Sequence, residues 1–297
     1  MLEYLPIPAI IIGSLVYAKW KNAYLTQVMV IANFLVFIYV IGLYYVEQDM
    51  FYDMRSAFAF MPARFGNMWY MPSIITSMFM HADPFHLIGN ILVLYLIGLP
   101  LEERIGTKNW GIIYFVTGIC ATMMFYVFHA DSITYLLGAS GAIYGLGGAL
   151  LVLYPKDRIP MLIGPIFSTR APVWLAVGIM FVVETFLVSM AVDDGTAHIA
   201  HVAGMVCGII IAPGLLKVAV EEKENGLDFE LLRKMARTDT EQQMVDKIEN
   251  ETEPDVRQAW LEFFFQDAAR CPKCKRRLKE YRPKITCECG ETWKVRR

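Results

Sequence analysis

A serine set between glycines, in the run Gly138-Ala139-Ser140-Gly141-Ala142-Ile143-Tyr144-Gly145, opens an otherwise apolar stretch of this 297-residue chain. A hydroxyl in such surroundings either bonds a backbone carbonyl or reacts. To react it needs a base within hydrogen-bond reach and donors for the oxyanion that develops on an attacked carbonyl. Four of the five histidines, His81, His86, His198 and His201, cluster at two places that supply such groups. His86 and Asn90 are four residues apart, on one helical face, where both could donate to an oxyanion. His198 and His201 share another face and compete for the part of the base. Ser140 itself falls at a helix start, where unpaired backbone N–H groups and the helix dipole favour a negative oxygen. The chemistry this pattern suits is attack of an activated serine on a peptide carbonyl. His129 is read as an interfacial bystander.

The elements that must position these groups are apolar helices. With 56% hydrophobic residues, 19% charged and a mean hydropathy of +0.41, the composition excludes an ordinary soluble domain and indicates a polytopic membrane protein. Stretches of the roughly 17–25 apolar residues that span a bilayer fall near 27–46, 86–101, 109–129, 139–155, 171–191 and 198–217. Residues 4–18 are a shorter, proline-interrupted candidate. Gly141 and Gly145 form one small-residue face, and Gly204 and Gly208 another, which lets two helices approach closely. Crossing near their outer ends would bring Ser140 and His201 together, with Tyr144 one turn below to support the ring. No Asp or Glu lies at a comparable depth on these helices, so a dyad is expected rather than a triad. Glu184, in the fifth span, could be paired inside the bundle; were its role structural, replacement by Gln would spare hydrolysis. Cys120 and Cys207 are read as apolar packing residues.

Lys and Arg set the expected orientation. Lys19, Lys21, Arg104, Lys108, Lys156, Arg158 and Arg170 fall in one set of loops, assigned to the cytoplasm. The other set, 47–85, 130–138 and 192–197, holds only Arg55 and Arg64 as bases and is assigned to the outside. Met1 to Tyr4 lacks a basic stretch and no small-x-small cleavage pattern follows, so no cleaved signal is expected. A plasma membrane location follows as an expectation, with the active site open to the outside and the C-terminal tail cytoplasmic.

Beyond Lys217 the composition changes. Residues 221–257 hold twelve acids and six bases, which reads as an acidic, partly helical cytoplasmic linker. Near the end, Cys271-Pro-Lys-Cys274 and Cys287-Glu-Cys289-Gly290 bring four thiols to two turns, the pattern of a small β zinc ribbon, since a segment this short needs a metal or disulfides and a cytoplasmic one favours metal. Eleven bases against three acids in 270–297 suggest anionic lipid or another cytoplasmic partner, with nucleic acid the less expected one and a plain solvated face the alternative. The expected organisation is thus an N-terminal hydrophobic segment (1–26), a transmembrane catalytic domain (27–217), the linker (218–269) and the ribbon (270–297). No cofactor is expected for catalysis, and a structural zinc in the ribbon.

Over residues 75–215 the chain resembles the rhomboid family of intramembrane serine proteases. The resemblance rests on Thr76-Ser77-Met78-Phe79-Met80-His81, His86-Leu87-Ile88-Gly89-Asn90, Glu102 with Gly106, Gly138-Ala139-Ser140-Gly141 with Tyr144, and His201-Val202-Ala203-Gly204 with Gly208. It implies an all-α six-helix bundle around a water-filled cavity, with Ser140 as nucleophile, His201 as general base and then acid, and His86 and Asn90 completing an oxyanion hole with the Ser140 N–H. Gly138 would make the tight turn before the nucleophile, and His81 would be structural. The family's Trp-Arg pair before Thr76 is replaced here by Pro72-Ser73. Substrates would be transmembrane proteins cut where a helix unwinds, admitted by a gate of the fifth span and Asp193-Asp194-Gly195. Two other readings are a proteolytically inactive relative that binds membrane clients, and a transporter whose histidines line a proton path.

Overall fold

The computed structural model describes residues 2–163, 166–190, 197–224, 227–251, 254–278 and 284–294. They form two compact units, Met1–Leu216 and Lys217–Arg297, each around its own hydrophobic core.

The first unit is built from apolar helices. Helix α1 (Pro6–Lys21) carries prolines in its first turn, where a missing N–H costs nothing, and ends at Asn22 in the left-handed conformation. At 16 residues it is about 24 Å long, short of a hydrocarbon core of about 30 Å. It packs on α2 (Leu25–Val46). Helices α3 (Gln48–Phe58) and α4 (Ser73–Thr76) with short 3₁₀ turns make the loop expected outside. That loop is pinned by the Thr76 hydroxyl, which donates to the Phe58 carbonyl at 2.8 Å, and by a two-bond bridge between Phe60 and Leu136.

Helix α5 (Pro84–Phe128) runs through both the second and third expected spans. The two halves are divided not by a loop but by Gly106, whose φ of 78° bends the chain in a conformation that residues with a Cβ resist. Helix α6 (Ser140–Leu153) follows, then an antiparallel hairpin of β1 (Arg158–Ile163) and β2 (Ile166–Pro172), then α7 (Val173–Ser189) and α8 (His198–Glu224). The hairpin falls where a plain loop was expected. Helices α2, α5 and residues His198–Leu216 of α8 are long and apolar enough to cross a membrane; α6 and α7 are shorter apolar helices. Side chains such as Ile31, Leu35 and Ile38 on α2 and Val182, Val183 and Phe186 on α7 are exposed, as expected for faces solvated by lipid rather than water.

Two devices lock this bundle. Glu102, almost fully buried on α5, accepts from the N–H groups of Leu25 (2.6 Å) and Thr26 (2.7 Å) and from the Thr26 hydroxyl (2.7 Å). It thereby caps the start of α2, whose own N-cap residue Tyr24 makes no side-chain bond. Glu102→Ala would leave the two buried Thr26 donors and the half-buried Leu25 N–H without acceptors, a loss of about 3 kcal/mol that should lower the melting temperature in detergent by roughly 10 °C; an unchanged melting curve would refute this role. The second device is glycine packing. A Cβ on Gly204 would overlap the Gly141 carbonyl oxygen, one on Gly208 the Gly145 carbonyl oxygen, and one on Gly148 the Met205 carbonyl oxygen. Helices α6 and α8 therefore touch backbone to backbone, with the small-residue faces meeting as the spacing predicts.

The second unit contains α9 (Phe229–Met235), α10 (Asp239–Asn250), α11 (Pro254–Asp267) and a small antiparallel sheet of β3 (Lys284–Thr286) and β4 (Thr292–Lys294). The segment expected as a partly helical, solvated linker contributes to a packed core. Leu232, Met235, Val245, Ile248, Phe264 and Phe265 share one core with Cys271, Leu278, Ile285 and Cys287. Its charges lie on the outer faces, as in the capping box of Thr238 and Glu241 and the Arg233 ion pairs with Asp246 and Glu249.

Candidate active site

Asp83 and Pro84 start α5: the Asp83 carboxylate accepts from the N–H groups of Phe85 (2.8 Å) and His86 (3.0 Å), fixing the first turn that carries His86. Asn90 follows one turn later and donates to the His86 carbonyl at 2.8 Å, leaving its second amide proton free of that bond. The Ala82 N–H donates to His86 Nδ1 at 3.4 Å, a tautomer that puts the ring proton on Nε2. Nε2 lies at Gly138, where a Cβ would come within 2.8 Å of it, so the φ of 120° and the lack of a side chain at Gly138 are both needed. The Gly138 N–H donates to Ser77 O at 2.9 Å, securing the turn that leads into α6.

Ser140 is the first residue of α6, with its N–H among the unpaired donors of that helix end. Its Oγ is 2.7 Å from His201 Nε2, a contact between helices 61 residues apart in sequence. The Tyr144 ring stacks on the His201 imidazole at 4.4 Å between centroids and 8° between planes. Gly141 and Gly204 meet one turn along, which explains how the two helices come close enough. A cavity of about 700 Å³ opens beside this pair, lined by Ser140, His201, His86, Asn90 and Tyr144, by Arg55 and Asp83, and by small and apolar side chains including Met180 of α7. The structure thus gathers every residue proposed for hydrolysis around one hollow.

His81 is buried against the His86 ring, 5.0 Å between centroids, and neither of its nitrogens has a hydrogen-bond partner among the described residues. Asp193, Asp194 and Gly195, named for the gate, lie outside the described residues. Contrary to the expectation of a dyad without an acid nearby, a carboxylate reaches the pair from a third helix. Glu184 of α7 reaches Tyr144 OH at 2.5 Å, His198 Nδ1 at 2.7 Å and His201 Nδ1 at 3.1 Å. The cost of a lone carboxylate in a span marks Glu184 in the sequence; which side chains it meets depends on the depth at which α7 passes α8. His198→Ala, an obvious control on sequence grounds, also disturbs Glu184.

The Rhomboid domain family model matches residues 66–218, just over half of the chain. The chain belongs to the rhomboid family. Among curated relatives, RHOMBOID-like protein 7 of Arabidopsis thaliana is 38% identical over 78 residues, 26% of this chain and 24% of that protein. RHOMBOID-like protein 1 of the same plant is 30% identical over 145 residues, 46% and 33% of the two chains. Rhomboid-related protein 1 of Caenorhabditis elegans is 29% identical over 178 residues, 56% and 45%. The chain thus spans from about a quarter to under half the length of these rhomboid relatives, and membership makes it a membrane protein related to intramembrane proteases and to their inactive cousins.

A second cluster lies in the C-terminal unit. The Sγ atoms of Cys271, Cys274, Cys287 and Cys289 all fall within 4.8 Å of one another, with Cys271–Cys289 at 3.7 Å and Cys274–Cys287 at 3.4 Å. None is in a disulfide. Four thiolates at about 2.3 Å around a tetrahedral ion would stand about 3.8 Å apart, so the donor set fits a metal. Two turns present it: Lys275 and Gly290 take positive φ, and the Cys274 N–H points at the Cys271 sulfur at 3.3 Å. Burial disfavours the Cys271 thiolate, but the Cys274 N–H and thiol and the Lys273 N–H outweigh it and draw the group down to about 7. Lys273 and Glu291, 2.5 Å apart, tie the two turns together.

Proposed function

We propose that this rhomboid protein is an intramembrane serine endopeptidase that hydrolyses peptide bonds in or near the transmembrane segments of other membrane proteins. The observation that carries the reading is the 2.7 Å contact between Ser140 Oγ and His201 Nε2 at the wall of a cavity among apolar helices. His201 Nε2 takes the hydroxyl proton as Ser140 Oγ forms a bond to the scissile carbonyl carbon. The carbonyl oxygen gains the charge and is met by His86 Nε2–H, the Asn90 amide and the Ser140 N–H. Protonated His201 then gives its proton to the leaving amine as the C–N bond breaks. Water from the cavity repeats the sequence on the acyl-serine, with His201 again as base, and releases the acid.

An intact helix shields its carbonyls, so cleavage requires a segment that unwinds, and residues of low helix propensity near one membrane face should direct it. The bundle would sit in the plasma membrane with the cavity toward the outside and the C-terminal unit in the cytoplasm, as the Lys and Arg distribution favours. The reading is tested with purified full-length protein in liposomes and a reporter transmembrane substrate. A product ending within the reporter's membrane segment supports it; a folded protein that captures the reporter uncut supports the client-binding alternative.

We propose further that the four cysteines hold a structural zinc, which supplies a crosslink rather than reaction chemistry. Because the core of this unit runs from Leu227 to Cys287, a fragment limited to the cysteine-bearing end would lose Leu232, Met235, Val245 and Ile248, so the metal belongs to an assay on the whole chain. The expected content is about one zinc per chain, lost in Cys274→Ser and on strong chelation, with the C-terminal unit becoming protease-sensitive in both cases. A metal-free protein with the same resistance would contradict the proposal.

A further inference from the structure

Glu184 holds more partners than a structural ion pair requires. One oxygen, Oε1, sits 2.5 Å from the Tyr144 hydroxyl and 3.1 Å from His201 Nδ1, while Oε2 sits 2.7 Å from His198 Nδ1. Glu184, His198 and His201 are all more than nine-tenths buried. The Tyr144 and His198 contacts alone would satisfy both oxygens. The third contact ties the carboxylate to the far side of the imidazole whose near side faces Ser140.

From this arrangement we infer that Glu184 is a positioning residue for the hydrolysis proposed above, a third member behind Ser140 and His201; the inference rests on that reading of the pair. An ionised carboxylate only accepts, so a proton between it and His201 Nδ1 resides on the ring nitrogen. That assignment leaves Nε2 with the lone pair needed to receive the Ser140 proton. As His201 becomes an imidazolium, the buried carboxylate is the charge that faces it. At 3.1 Å the His201 contact leaves Nδ1 without a well-directed hydrogen bond at rest, which suits a contact that tightens along the reaction. Tyr144 acts twice, stacking on the His201 ring and bonding the carboxylate that orients it. His198 holds the other oxygen and so fixes the carboxylate plane.

A divalent cation is the competing occupant of three such donors. The 2.7 Å separation of His198 Nδ1 and Glu184 Oε2 is a hydrogen-bond distance, whereas two ligands at about 2.0 Å around a tetrahedral zinc stand about 3.3 Å apart. The cluster is closed on itself by protons.

The test compares wild type, Ser140→Ala, Glu184→Gln and Glu184→Asp in the full-length protein, reading kcat and KM on a transmembrane reporter and the rate of labelling by a small fluorophosphonate. Glu184→Gln should keep KM within about threefold while kcat and the labelling rate both fall about 100-fold or more; a structural role alone would not slow a substrate-independent label in a folded protein. Glu184→Asp, which keeps the charge on a shorter stem, should lie between the two. If Glu184→Gln does not fold, the aspartate variant decides, since it must then show reduced kcat with unchanged KM. Either variant folded and labelled at the wild-type rate overturns the inference while leaving the Ser140–His201 reading intact. A folded wild type that neither cleaves nor labels overturns both.

Discussion

Ser140→Ala and His201→Ala are each expected to lower cleavage of a transmembrane substrate by about 10⁴-fold or more, and the double variant should be scarcely worse than either. The reason is that the two side chains act as one unit. Without Oγ there is nothing for the imidazole to activate, and without Nε2 the hydroxyl keeps its proton. The cavity, His86, Asn90 and the α6 N-terminus survive both changes, so substrate binding should be retained and KM should move little. Ser140 is the first residue of its helix and its Oγ bonds His201 alone among the described residues, so the alanine variant should melt close to wild type. Steady-state kinetics in liposomes, with melting curves as the folding control, check this; additive losses in the double variant would show that the residues do not work together.

Gly204→Ala is expected to be nearly as damaging although it adds one methyl group and touches no reacting atom. Its Cβ would overlap the Gly141 carbonyl oxygen, and backbone cannot rotate away as a side chain can. Helices α6 and α8 must therefore part by about an ångström, and a misplacement of that size at the Ser140–His201 contact costs about 100-fold in rate. Overpacking of this kind also destabilises, by about 1–3 kcal/mol, so the variant should lose melting temperature together with kcat. Gly178→Ala is the comparison, because nothing lies within 4 Å of the Cβ it would add on α7. It should behave as wild type. Equal activity in the two alanine variants would mean that the close crossing does not position the pair.

Much of this arrangement is legible in the chain because lipid imposes simple rules. The apolar stretch 27–46 becomes Leu25–Val46 and 171–191 becomes Val173–Ser189, since every backbone group in hydrocarbon must be paired within its own helix. The glycine spacing of α6 and α8 carried the crossing, and with it the meeting of Ser140 and His201. Three features were hidden for physical reasons. The bend at Gly106 leaves hydrogen-bonded helix on both sides, so hydropathy marks a gap where the fold has only a kink. Glu184 could be recognised as needing a partner, but which atoms it meets depends on the height at which α7 passes Tyr144 and α8, and periodicity within one helix says nothing of that. In the acidic segment Val245 and Ile248 are three apart and both fully buried, yet the charges between them dilute the apolar signal to the level of a solvated spacer. The clustering of the four cysteines, by contrast, was readable from spacing, because two close cysteine pairs are the pattern that a single metal ion would require.

Covalent labelling tests the nucleophilicity of Ser140 itself. Full-length protein, purified in detergent and shown to be folded, is incubated with a fluorophosphonate and mapped by peptide mass spectrometry, beside Ser140→Ala and His201→Ala. One adduct is expected, on Ser140, absent from the first variant and formed far more slowly in the second. A folded wild type with no adduct on Ser140, or one that labels elsewhere and equally in all three proteins, would contradict it.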